Sequence, residues 1–381
     1  MKTAILGFGV VGSGAFEVLE SYGYEVKRVL DIRPHDELGD KLTSNYDEIL
    51  NDKEIGVVAE AIGGLEPAHT FVVKALKAGK HVVSSNKHLI CTYYEELHKL
   101  ARENGVTLRF TSSAGGGIPW LYNLRRSTRC DEIYKVMGIM NGTTNFILDA
   151  MISDGRDFDD VLKEAQRLGY AEANPSADID GLDTARKTAI SSSIAFNTII
   201  KEENVQIFSL RFIKKTDIDY ITGKLNKTVR YLGFGTKGEN GVSAFVEPAL
   251  LDANALESNV TKNNNMISLF GKSVGRLSFF GQGAGKYPTG SSLAQDVIDI
   301  LNGSHELSFD PSDVKVSNDA LERAYYIRTN ADVNYDFFDK VDVIGDSKYI
   351  ITKKITVSKM HEMAKDIYAL DDSAFFAGIE E

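Results

Sequence analysis

Short apolar runs alternate with amphipathic stretches from Met1 to about Phe110. Lys2–Leu6, Lys27–Asp31, Val57–Ala61, His81–Ser84 and Thr107–Phe110 read as strands, and the segments between them carry apolar residues at helical spacing. Alternation of this kind predicts an α/β fold, a doubly wound parallel sheet with helices on both faces, over residues 1–131. From Glu132 the pattern becomes mixed: strands at Tyr134–Met140, Thr228–Thr236, Val242–Leu250 and Met266–Phe270, helices near Phe158–Leu168 and Leu182–Ala195. This predicts an α+β substrate domain over 132–282. A helix at about Ser291–Asn302 follows the glycine-rich stretch Gly281–Gly285, and residues 283–311 are expected to return to the first domain and complete it. Residues 312–381 form a C-terminal appendage in which Ala324–Thr329, Tyr349–Val357 and Ala374–Ile379 read as strands and Ser358–Ile367 as a helix.

Composition removes several classes of function. The 381 residues carry 43 Lys plus Arg against 54 Asp plus Glu, and a net charge of −11 repels a phosphate backbone, so no nucleic acid is expected as a partner. No apolar run approaches the roughly 20 residues that span a bilayer, and Met1–Leu6 enters a strand pattern directly rather than a leader, so a cytoplasmic protein without membrane contact is expected. Cys91 and Cys130 lack the spacing of a disulfide scaffold or zinc site, and His81, His88 and His98 form no H-x-x-x-H pair.

Gly7-Phe-Gly9-Val10-Val11-Gly12 lies between the first strand and a helical stretch at Ser13–Ser21, the context a Rossmann-type dinucleotide turn requires. Gly7 permits the tight turn, Gly9 lets backbone approach a pyrophosphate, Gly12 allows close helix–strand packing, and the helix N-terminus supplies N–H groups to the phosphate. Asp31 ends the second strand, 19 residues after Gly12, where a carboxylate accepts ribose hydroxyls and repels a 2′-phosphate. NAD is the expected cofactor. Arg33, which can stack on adenine or pair with that phosphate, keeps NADP possible.

Asp183 and Lys187 are spaced i, i+4 and share one helix face. Such spacing most often marks a surface ion pair, but the turn Asp180-Gly181 opens this helix and Thr188–Phe196 is largely small or apolar, which favours a buried, functional pair. Together with Ser84-Ser-Asn-Lys87, Gly115-Gly-Gly-Ile-Pro119, Asn141-Gly-Thr-Thr-Asn145, Leu168-Gly-Tyr-Ala-Glu172 and Asp178-Ile-Asp-Gly-Leu-Asp183, these residues make the chain resemble the homoserine dehydrogenases over about Met1 to Asn302. The resemblance implies reversible NAD(P)-dependent interconversion of L-homoserine and L-aspartate 4-semialdehyde, a small-molecule substrate, in threonine and methionine biosynthesis. It implies that Asp183 binds the substrate's hydroxyl or aldehyde oxygen, that Lys187 is the proton donor in aldehyde reduction, and that Glu172 holds the α-ammonium. Lys87 falls to the substrate carboxylate or the nicotinamide side, and Asn141 and Thr143 line the substrate cleft, with a strand-to-helix turn capped by Thr143 or Thr144 as the structural alternative. Val10, Val11, Ile62, Lys87, Gly169, Glu172 and Gly283 are implied at the cofactor, and a homodimer is implied through the substrate domain, where Thr228–Leu250 alternates apolar residues.

Three features depart from the family. Thr111 stands where a glutamate often begins the loop that holds a sodium ion, leaving only the backbone carbonyls of Ala114, Gly116 and Ile118 for it. Asn174 replaces a common carboxylate near Glu172. The tail resembles a shortened ACT module, with Asp332-Val-Asn-Tyr335 in place of the usual glycine-bearing turn. These departures keep two other readings open: a dehydrogenase for another small amino-alcohol, and an NAD-binding regulatory paralogue with little activity.

Overall fold

The computed structural model of the chain describes residues 1–304 and 308–380. Residues 305–307, inside the segment expected to complete the first domain, and residue 381 lie outside the described residues. The chain divides into two compact units, Met1–Cys130 with Gly281–Ser312, and Asp131–Phe280 with Asp313–Glu381.

In the first unit, six strands lie in the order Leu42–Thr43, Val26–Leu30, Lys2–Leu6, Ile55–Glu60, His81–Ser84, Leu108–Arg109. All neighbours are parallel. The strand order reverses between Lys2–Leu6 and Ile55–Glu60, and ligands of such sheets bind outside the carboxyl ends of the strands at that switch point. Leu293, Ala294, Val297 and Ile300 of the helix Lys286–Leu301 share one core with Ile5, Val29 and Val57. That helix passes so near the first one, Val10–Ser21, that a Cβ on Gly14 would stand 2.1 Å from the Lys286 carbonyl oxygen.

The second unit is built on a ten-stranded sheet. Its central strands are Asn264–Gly271, Ile133–Ile139, Lys227–Gly238 and Gly241–Asp252, antiparallel throughout. The almost wholly buried helix Leu182–Phe196 lies on this sheet. Glycines at Gly233 and Gly235 permit the approach, since a Cβ at either would stand 2.0 Å from the hydroxyl of Thr188 or Ser192. The sheet thereby fixes the turn of helix that carries Lys187.

The tail continues the same sheet rather than standing apart from it. Phe375–Ile379 pairs in parallel with Gly241–Asp252 and antiparallel with Tyr325–Thr329, followed outward by Ser347–Thr352 and Phe338–Ile344. Helix Val357–Leu370 buries Met360, Ala364 and Ile367 on one face, against Ile327, Ile350 and Phe376. Phe337 joins that cluster from the irregular segment after Tyr325–Thr329. On the opposite face, Tyr220 of the helix Lys215–Leu225 stacks on Tyr349 at 4.4 Å, and Asp217 pairs with Arg328 at 2.9 Å, both fully buried.

Several expected boundaries move. The strand expected at Tyr349–Val357 breaks into Ser347–Thr352 and Ile355–Thr356, the second of which pairs with Glu322–Arg323 in a separate sheet, and Thr356 accepts the Lys359 N–H and so starts the helix at Val357. Strands Leu42–Thr43, Gly275–Gln282 and Phe338–Ile344 and helices Gly142–Ser153 and Lys215–Leu225 add to those expected. Thr228–Leu250 presents no open face: consecutive residues of a strand point to opposite sides of a sheet, yet Phe245 and Val246 are both 0% exposed within the single chain.

Candidate active site

The glycine turn has the shape of an anion cradle. Gly7 sits at φ +92°, and a Cβ there would lie 2.8 Å from the Ala61 carbonyl oxygen. Gly9 is the N-cap of helix Val10–Ser21 and contributes no side-chain cap, so the first N–H groups of the helix keep no partner from a side chain there. A Cβ on Gly9 would meet nothing within 4 Å, whereas one on Gly12 would stand 1.9 Å from the Gly7 carbonyl oxygen. Gly12 thus serves packing, and the space over Gly9 is open for a phosphate at the positive end of the helix. Val10 is exposed and Val11 half-buried at the same turn. These residues fit a dinucleotide.

Asp31 is tied into this turn. Its Oδ2 accepts the Phe8 N–H at 2.7 Å and Arg33 Nη2 at 3.0 Å, and its Oδ1 accepts the Arg33 N–H and Nε at 3.0 and 3.1 Å. The Arg33 guanidinium, ahead of the backbone donors and against burial, holds the carboxyl well below the usual range and keeps it ionised. Ile62 follows Glu60 and Ala61 on the neighbouring strand end, its N–H donating to Glu60 Oε1 at 2.9 Å. Lys87 is the first residue of helix Lys87–Glu103, capped by Asn86, whose side chain accepts the Leu89 N–H. Gly283 lies against the triple-glycine loop, where a Cβ on Gly116 would come within 2.3 Å of it.

In that loop the Ile118 carbonyl already accepts the Trp120 N–H at 2.7 Å, and Thr111 is buried with its N–H donated to Asp296 Oδ2 at 2.8 Å. Among the described residues no group of three His, Cys, Asp or Glu side chains could hold a metal ion.

The second unit assembles a polar cluster at the start of the helix Leu182–Phe196. Gly181, at φ 88°, opens that helix. Lys187 Nζ donates to Asp183 Oδ2 at 2.8 Å and to the Met140 carbonyl at 2.8 Å, and both side chains are buried, so the pair is no surface ion pair. Asn141 donates from Nδ2 to Asp183 Oδ2 at 2.9 Å and to Asp178 Oδ1 at 2.7 Å, while its Oδ1 accepts the Thr144 N–H. Asn141, not Thr143 or Thr144, therefore caps helix Gly142–Ser153. Thr143 donates to the Tyr170 carbonyl at 2.5 Å, anchoring the loop that carries Gly169 at φ +77° and the exposed Glu172. Asp178, to which the motif reading gave no role, joins the cluster. Burial foremost, then the negative charge of Asp183, pushes its carboxyl up, against the Asn141 amide. Its spacing five residues before Asp183 was visible, but nothing in the sequence showed that Asn141 bridges the two.

Comparison with known proteins agrees with this geometry. The family model described as "Homoserine dehydrogenase, NAD binding domain" matches residues 7–111, and the one described as "Homoserine dehydrogenase" matches residues 119–298. Homoserine dehydrogenase of Pseudomonas aeruginosa is 36% identical over 87% of this chain and 82% of its own, and that of Corynebacterium glutamicum is 36% identical over 90% and 81%. The crystal structure of a homoserine dehydrogenase from Thiobacillus denitrificans is similar with a TM-score of 0.88, at 32% identity over 100% of this chain and 98% of that one. A hyperthermophilic archaeal homoserine dehydrogenase mutant in complex with NADPH is similar with a TM-score of 0.68, at 25% identity over 80% of this chain and 98% of that one.

Proposed function

The chain belongs to the homoserine dehydrogenase family and is an NAD(P)-dependent oxidoreductase acting on a CH–OH group, and on that premise we propose that Lys187 and Asp183 are its catalytic pair. The reaction interconverts L-homoserine and L-aspartate 4-semialdehyde and serves threonine and methionine biosynthesis. The buried contact between Lys187 Nζ and Asp183 Oδ2 carries the assignment. Two of the three ammonium donors go to Asp183 and the Met140 carbonyl, and the third serves the substrate oxygen. Bound nicotinamide supplies a hydride to the aldehyde carbon, or takes one from the alcohol carbon in reverse. As negative charge develops on the oxygen, Lys187 stabilises it and delivers a proton; Asp183 holds the ammonium in place and accepts the hydroxyl of the alcohol form. Purified protein is expected to oxidise L-homoserine with NAD(P)+ in mildly alkaline buffer; turnover of neither homoserine nor aspartate 4-semialdehyde with either cofactor would sink the reading.

The remaining roles follow from the same premise. Glu172, exposed beside the anchored Tyr170, binds the α-ammonium, and Lys87 binds the substrate carboxylate or the nicotinamide side. Asn141 and Thr143, whose donors are committed to Asp178, Asp183 and Tyr170, hold the site's shape. Gly7, Gly9, Val10 and Val11 cradle the pyrophosphate on a turn that Gly12 lets pack closely, with Ile62, Gly169 and Gly283 as further backbone contacts. The ionised Asp31, with Arg33 folded onto it, favours NAD over NADP. A sodium ion at the Ala114, Gly116 and Ile118 carbonyls would have neutral ligands alone and bind weakly.

Further proposals concern the assembly. The tail is a reduced ACT-like appendage: its antiparallel order, fourth strand, first, third, second, keeps one helix, and aromatic residues of the segment before Phe338 cover the place of the other. A homodimer would use surfaces other than the faces of Thr228–Leu250. Among the described residues no helix is long and apolar enough to cross a membrane, and a biosynthetic enzyme of this kind fits a cytoplasmic location.

A further inference from the structure

Glu60 ends the strand Ile55–Glu60 at the switch point of the parallel sheet, with a side chain 0% exposed. Leaving a carboxylate there is costly, because burial disfavours its charged form; desolvation indeed pushes its pKa up, opposed by the hydrogen bonds it accepts. An apolar residue would continue the Val57-Val-Ala59 run more stably, so the carboxylate needs another reason to be present.

Its hydrogen bonds supply one. Oε1 accepts the N–H groups of Ile62 and Gly63 at 2.9 and 3.2 Å. This loop abuts the cofactor turn: a Cβ on Gly7 would meet the Ala61 carbonyl oxygen and, at 3.0 Å, the Ile62 Cα. Oε2 accepts the Ser84 hydroxyl at 2.5 Å, and Ser84 Oγ accepts the Asn86 N–H at 3.1 Å. Asn86 then caps the helix that begins at Lys87 and donates from Nδ2 to the Gly64 carbonyl at 2.6 Å, closing the circuit on the first loop. All of these atoms lie in the first unit.

We propose that Glu60 is a positioning residue of the dehydrogenase, setting the 61–64 loop against the cofactor turn through Oε1 and the start of the Lys87 helix through Oε2 and Ser84. It rests on the reading of Ile62 and Lys87 given above. The two arms are separable, because Ser84→Ala cuts only the second, whereas Glu60→Leu, of similar volume, removes both: it leaves no acceptor for the Ile62 and Gly63 N–H groups or for the Ser84 hydroxyl.

The test combines NAD(P)H binding by calorimetry with steady-state homoserine oxidation. Ser84→Ala should leave the NAD(P)H dissociation constant within about two-fold of wild type and lower kcat/KM for homoserine by about 10-fold or more, since small misplacements of a positioned group cost up to about 10²-fold. Glu60→Leu should also weaken NAD(P)H binding by about 10-fold, on the same scale. Variants that melt at a lower temperature but keep wild-type dissociation constants, KM and kcat would reduce Glu60 to a structural brace and overturn the proposal. If the wild type turns over no homoserine, the dehydrogenase reading falls, and the dissociation constant of Glu60→Leu still decides the role of the Oε1 arm.

Discussion

Asn141 Nδ2 stands 2.9 Å from Asp183 Oδ2, so the residue that caps helix Gly142–Ser153 holds the carboxylate in the first turn of helix Leu182–Phe196. That carboxylate in turn accepts the Lys187 ammonium, the group proposed above to meet the developing charge. Lys187→Ala is expected to lower kcat by roughly 10²-fold or more, the scale of a positioned general acid, with NAD(P)H binding unchanged. Stopped-flow single turnover separates this from slow product release. A variant that retains wild-type single-turnover rates would remove Lys187 from the chemistry.

The proposed preference for NAD rests on Asp31. Replacing it by Ser removes the charge that repels a 2′-phosphate and releases the Arg33 guanidinium now bonded to it. Asp31→Ser should raise the ratio of kcat/KM for NADP over NAD by about 10-fold or more, since each about 1.4 kcal/mol is a factor of ten. An unchanged ratio would place Asp31 away from the ribose.

The two halves of the candidate site were legible to different degrees. The parallel sheet and its turn were readable because apolar runs end at glycines whose spacing itself has a mechanism, and the i, i+4 spacing put Asp183 and Lys187 together. Phe338–Ile344 was missed because it is an edge strand, with Asp339, Lys340, Val341 and Val343 exposed and no buried face to show a period of two. Helix Gly142–Ser153 was hidden behind a Gly-Thr-Thr opening that reads equally as a turn. Glu60 did leave a signal, a charge closing the apolar run from Val57, but its partners Ser84 and Asn86 sit more than twenty residues away and only the fold brings them in.

Assembly is open to one direct measurement. Both faces of Thr228–Leu250 are covered within the chain, whereas Gly275–Gln282 at the end of the sheet leaves Phe280 62% exposed. Light scattering at micromolar concentration should report a dimer. A monomer would remove the dimer proposal and leave the catalytic reading standing, because Glu172, Asp183 and Lys187 belong to one chain.

The Asp217–Arg328 pair ties helix Lys215–Leu225 to the tail and is shielded from water on all sides. Removing one partner leaves an uncompensated buried charge, at a cost of about 3–5 kcal/mol. Asp217→Ala should therefore lower stability by that order in urea denaturation, and adding Arg328→Met should restore part of it. A single variant as stable as wild type would mean that water reaches the pair.

His361 makes stability depend on pH. Its ring stacks on Phe208 at 3.7 Å, and burial, with a smaller contribution from Lys365, pushes its pKa down to about 3. A histidine in the unfolded chain titrates near 6.5. Above that value the residue is neutral in both states and its burial costs nothing in protonation. As pH falls from 6.5 toward 3 the unfolded chain binds a proton that the folded chain refuses, so stability is lost at about 1.4 kcal/mol per pH unit. His361→Phe keeps the stacked ring and removes the titration. Relative to wild type it should gain about 2 kcal/mol between pH 7.5 and pH 5 in urea denaturation, the gap being set by packing alone at the higher pH. A gap that stays constant over this range would show that His361 takes up its proton equally well in the folded protein, and that the stacked ring is open to water.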